Sequence, residues 1–193
     1  MITNRKKGEN IARYIDLLLI LLDLGYESDF ISNPKSFPHI PEVMAIADET
    51  SKQIYADALH EVKGDSHEIF FIAHVWSTLA GIGSVMCMGD DPQSVRREGT
   101  YAALMSSRGF NGMDDFVLER MEIRDGQEKK ALLSHLGLIG QILAHEIECK
   151  DPTDREIQIT ETMKAAFVYG MILQINREKE LINQKAFHPI HPE

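Results

Sequence analysis

Two cysteines and one tryptophan are all that 193 residues contain, and neither type is placed where it would organise a fold. Cys87 and Cys149 share no CxxC-type spacing, which excludes a disulfide framework and a zinc knuckle and points to a reducing compartment, the cytoplasm. Strict alternation of apolar and polar residues is missing throughout, which argues against strands and for an all-α chain. Basic residues are too few to form a patch. With 20 Lys and Arg against 30 Asp and Glu, the net charge is −10, so direct nucleic-acid binding is disfavoured for want of cations to meet phosphates. The LLLILL run of residues 17–22 is closed by Asp16 and Asp23, too short an apolar core for a signal peptide, and no small-residue cleavage site follows it.

One long apolar run is present. From Ile69 to Met88 the chain reads IFFIAHVWSTLAGIGSVMCM, with no Asp, Glu, Lys or Arg and His74 as its single titratable group besides the Cys87 thiol. The length would suit a bilayer. The flanks do not, because Asp65, Glu68, Asp90 and Asp91 border it where basic and aromatic anchors would be needed, and no membrane span is expected. A helix apolar all round belongs in the centre of a bundle. Ala73, Ser77, Gly81 and Ser84 recur along it at helical spacing, a stripe of small side chains on which another backbone could approach closely.

The remaining periodicity gives a single all-α domain over residues 1–193, a bundle of six to seven helices around a central helix at about 66–88. A first helix is expected over about 10–26, then a proline-rich loop at about 27–40, and a second helix from Pro41 to about Val62. Asp91-Pro92 is a start signal for a helix to about Ser107. A short helix over about 113–124 turns at Asp125-Gly126 into a longer one over about 127–149, and a last helix occupies about 154–184. An irregular tail at about 186–193 ends the chain.

Two groups of side chains could carry chemistry. Asp115, Glu119 and Glu122 fall at i, i+4 and i+7, so their carboxylates line one side of the short helix and could hold magnesium, which takes oxygen ligands. Glu119-x-x-Glu122 followed by Glu148-x-x-Asp151 formally resembles the ExxE…ExxD pattern of the all-α nucleoside triphosphate pyrophosphohydrolases of the MazG kind. That resemblance covers these positions and none of the sequence around them; it implies a magnesium-dependent hydrolase. In an antiparallel hairpin turning at Gly126 the two motifs lie roughly 27 Å apart along the axis, so a shared metal requires the longer helix to break at Gly137 or Gly140.

The second group is made of histidines. His67 and His74 lie seven residues apart on the central helix, and His145 and Glu148 are at i and i+3 on another. Were those faces to meet, three imidazoles and a carboxylate could bind zinc, manganese or iron within the bundle, with Glu68 and Glu146 directed elsewhere on their helices. No GxSxG elbow, HExxH motif or phosphate cradle accompanies either group. The balance favours a non-enzymatic regulatory, adaptor or assembly protein acting through protein contacts on an acidic surface, with no cofactor expected and a homodimer as the default assembly. The alternative is a metal-dependent hydrolase on the His/Glu set or, with magnesium, on the carboxylate face.

Overall fold

The computed structural model describes residues 2–32, 41–90, 113–121, 123, 126–147 and 152–187. Among them the chain is all-α, with six helices: α1 (Ile2–Glu27), α2 (Pro41–Glu61), α3 (Ser66–Asp90), α4 (Met113–Arg120), α5 (Gly126–His145) and α6 (Pro152–Phe187). The helix expected over 91–107 lies outside the described residues, as do most of the 27–40 loop and the tail beyond Phe187. α1 begins eight residues before the expected start, because its first two turns, with Arg5, Lys6, Lys7 and Gly8, carry no apolar periodicity to announce them. At its other end α6 continues through Phe187, past the expected boundary.

α3 is the centre of the bundle. It packs most extensively on α6, and also on α5, α2 and α4, while α1 lies on α6. It is long and apolar enough to cross a bilayer, and 67% of that apolar stretch is enclosed by the surrounding helices. The stripe of small residues faces α6. A Cβ added to Gly81 would strike the Phe167 carbonyl, and one added to Gly170 would strike that of Thr78, so the two backbones touch where both helices lack a side chain. Ser77 Oγ donates to the Met163 carbonyl at 2.8 Å in the same contact. Every residue of α6 from Thr162 to Gln174 is buried, which makes it a second enclosed helix beside α3.

Local signals set the helix ends. Asp65 Oδ1 accepts from the Glu68 amide at 2.9 Å and caps α3, as an aspartate three residues before a glutamate does at an N-terminus. α1 ends in a Schellman turn: Asp29 has φ 58°, its amide donates to Tyr26 O at 3.2 Å, and the Phe30 amide donates to Gly25 O at 2.9 Å. The carbonyl of Glu146, just past α5, accepts from Arg13 of α1 at 2.7 Å and from the Gln158 amide of α6, so a helix end that would be left unsatisfied ties three elements together. α5 itself buries Leu132, Leu136, Ile139 and Leu143 on one side, each worth about 1.5–3 kcal/mol when fully removed from water.

Candidate functional site

The histidines expected to act together are placed in two different environments. His74 is completely buried. Its Nδ1 lies 2.5 Å from the Phe70 carbonyl, so Nδ1 carries the proton and donates, leaving Nε2 to accept from the Thr162 hydroxyl at 2.7 Å. Burial lowers its pKa to about 4, with the Phe70 hydrogen bond opposing in part, and the ring is neutral near pH 7. Both nitrogens are therefore committed to the contact between α3 and α6. His67 is exposed at the start of α3. Seven residues of helix separate the two rings by about 10.5 Å along the axis, so sharing a face does not bring them to one metal.

His67 does meet His145. Their ring centroids are 6.4 Å apart in an edge-on arrangement, and both line a recess of about 510 Å³ together with Leu138, Gln141, Ile142 and Glu146. The participation of Glu146 corrects the sequence expectation: α5 stops at His145, so Glu146 sits in a turn where helical register no longer directs its side chain. Its carboxylate lies 3.6 Å from Arg13. Glu148 lies outside the described residues, and among those described no group of three or more His, Cys, Asp and Glu is arranged to hold a metal.

On the carboxylate face, Asp115 and Glu119 are exposed on α4, and Glu122, Glu148 and Asp151 lie outside the described residues. α5 runs unbroken through Gly137 and Gly140, without the break that a shared pyrophosphohydrolase-type site requires. Gly140 instead packs against Val75 and Phe71 of α3.

His135 was not singled out by spacing motifs, although it follows Leu132 by three residues on the buried side of α5, and that register could have marked it. Its Nε2 is 2.6 Å from the Tyr169 hydroxyl, and its ring stacks on Phe30 at 4.4 Å. Burial lowers its pKa to about 4 and raises that of Tyr169. Gly25 admits this hydroxyl, since a Cβ there would collide with it.

Beside this pair lies a recess of about 280 Å³ between the end of α1, the α4 end, α5 and α6. Arg177 forms one wall and is held there, donating to Glu128 Oε1 at 2.6 Å and to the Met121 carbonyl at 2.9 Å. A second charged group is structural in kind. Lys164, 8% exposed, sits 2.5 Å from Glu161 and 3.4 Å from Asp48, and Lys52 approaches Asp48 at 2.6 Å. Partial burial works to raise the Asp48 pKa, but the Lys52 hydrogen bond and the Lys164 charge outweigh it and hold the carboxyl below its usual value.

Met86 and Met121 are buried in the core. The positions of Met88, Met105 and Met113 side chains lie outside the described set. Comparison with protein-family models, with curated proteins and with solved structures finds no match to this chain.

Proposed function

We propose that this chain is a non-enzymatic assembly protein that works as a homodimer paired through α1. The observation that carries this reading is a set of large apolar side chains left in solvent on one helix: Ile15 at 42% exposure, Leu19 at 52%, Ile20 at 50% and Tyr26 at 54%. Ile15, Leu19 and Tyr26 fall at i, i+4 and i+11, one face of α1.

The occupant of that face is a second copy, for a reason of charge. Arg5, Lys6, Lys7 and Arg13 lie in the first half of α1, with Glu9 the lone acid among them, whereas Asp16, Asp23, Glu27 and Asp29 follow with no base. This polarity opposes the helix dipole, which favours acids at the start and bases at the end. An antiparallel partner reverses the penalty: the basic half of each α1 lies beside the acidic half of the other, and Ile15 meets Leu19 at the two-fold axis. The acidic surface that remains suits a basic segment of another protein in the cytoplasm.

Sedimentation equilibrium tests the reading. A dimer is expected for the unaltered chain. Leu19→Glu should give a monomer with unchanged helix content, because Leu19 is already half in water. Glu27→Lys should weaken pairing, and Lys7→Glu added to it should restore it. A monomer for the unaltered chain at every attainable concentration, or a dimer that survives Leu19→Glu, overturns the proposal.

A second reading rests on the approach of His67 to His145: a zinc, manganese or iron ion held by two imidazoles, with Glu146 alongside, in a metal-dependent hydrolase. Elemental analysis of untagged protein, with His67→Ala and His145→Ala, decides it. Stoichiometric metal lost in both variants supports this reading, and a metal content that neither substitution alters removes it.

A further inference from the structure

His67 and His145 come from two different helices, the first turn of α3 and the last residue of α5, and their rings meet edge-on with centroids 6.4 Å apart. Two imidazoles on one tetrahedral zinc ion have centroids roughly 5 Å apart, as Zn–N bonds of about 2.0–2.1 Å require. Both side chains are exposed, so a small rotamer adjustment closes that difference. The pair is half a coordination shell. Among the described residues no third His, Cys, Asp or Glu joins it in an arrangement that could hold a metal. Glu146 lines the same recess, but its carboxylate is drawn to Arg13 of α1 at 3.6 Å, and its carbonyl is fixed by Arg13 and Gln158.

The geometry points to a zinc site shared between two copies of this chain, His67 and His145 of each copy supplying two of the four ligands across a two-fold axis. A two-fold axis presents the same patch from both sides, so a pair of imidazoles beside it becomes four, the number a structural zinc takes. Nitrogen ligation selects against magnesium and calcium, which take oxygen. Charge favours this patch as the meeting place. A chain of net charge −10 repels its copy wherever acids face each other, whereas this recess presents two imidazoles, Leu138 at 41% exposure, Gln141, Ile142 and a carboxylate compensated by Arg13. The neighbouring acids are turned to α3 itself: Asp65 caps it, and the Glu68 carboxylate folds back over Gly64. The inference rests on the same approach of the two rings as the metal-dependent hydrolase reading and departs from it in chemistry. An ion with four protein ligands keeps no open position for water, so it joins subunits and activates nothing.

Untagged, metal-free protein carrying Leu19→Glu, to abolish pairing through α1, is titrated with zinc sulfate in calorimetry and sedimentation equilibrium. The mass should double with about half an equivalent of zinc per chain and return on adding EDTA, and magnesium should not substitute. His67→Ala and His145→Ala, both at exposed positions, should keep the helix content of the parent and lose the doubling. The change of mass on adding zinc is the readout, so the result stands whatever mass the metal-free protein has. One zinc per chain with no change of mass overturns the shared site and leaves the hydrolase reading standing. No saturable zinc binding, or a doubling that either histidine variant retains, overturns the inference outright.

Discussion

Gly81 and Gly170 occupy reciprocal positions in the α3–α6 contact, each facing the backbone of the other's helix where any side chain would collide with a carbonyl oxygen. Because the obstacle is backbone on both sides, it cannot move aside as a flexible side chain would. Gly81→Ala and Gly170→Ala should each cost about 3 kcal/mol or more, the upper range for overpacking, measured as a fall in the urea midpoint. Gly137→Ala is the control. Nothing lies within 4 Å of a Cβ at that position, and alanine there should stabilise by about 0.5–1 kcal/mol through helix propensity.

Thr162 holds His74 from the opposite helix. Its hydroxyl is 2.7 Å from Nε2 and also 2.9 Å from the Ile159 carbonyl, and a single proton serves one of these acceptors at a time. Thr162→Val keeps the shape and removes the proton, leaving a buried imidazole nitrogen with no donor. A loss of about 1–3 kcal/mol is expected in equilibrium unfolding, with the His74 ring nitrogen signals in NMR moving toward those of an unbonded site.

Acid should weaken the fold well before the carboxylates titrate. His74 and His135 both have folded-state pKa values lowered by burial to about 4, from 6.5. As the pH falls through 6.5 the unfolded chain takes up a proton at each ring and the native chain does not. Stability is therefore complete above about pH 6.5 and declines down to about pH 4, by about 3 kcal/mol for each histidine. Replacing His135 with Gln should lower the slope of unfolding free energy against pH in that window by about one proton.

Asp29 pays a small conformational penalty for its left-handed backbone. Asp29→Gly removes it and should raise stability by about 0.5–1 kcal/mol, read as a higher melting temperature. Asp65→Ala should act in the opposite direction, by about 1 kcal/mol, through loss of the α3 cap.

The helices were largely legible from periodicity, since Pro41 at a first turn, Asp65 before α3 and Gly126 between α4 and α5 mark boundaries in the residues themselves. The small-residue stripe correctly indicated a close backbone approach, though not its partner. The enclosure of α6 was less legible than its existence, because Thr162, Lys164 and Gln174 interrupt its buried stretch with polar side chains, of which Thr162 and Lys164 reach His74 and Asp48 on other helices. Site residues were harder to read. Helical register placed His67 and His74 on one face, but register says nothing of depth, and the bundle covers one ring while leaving the other in solvent. Arg177 and Glu128 form their ion pair across 49 positions, a distance at which no spacing rule operates.

The glycine contact also sets an order of events during synthesis. α3 and α6 are joined by groups 86 and 88 positions apart, so the most apolar helix of the chain leaves the ribosome long before its principal partner exists. Until then α2, α4 and α5 can cover part of α3, while the face that carries Ser77 and Gly81 stays open. Non-local closure of this kind slows folding and prolongs the exposure of a sticky surface. Truncation before Pro152 is expected to leave that face uncovered and to give a product that aggregates, measured as loss of soluble protein on expression.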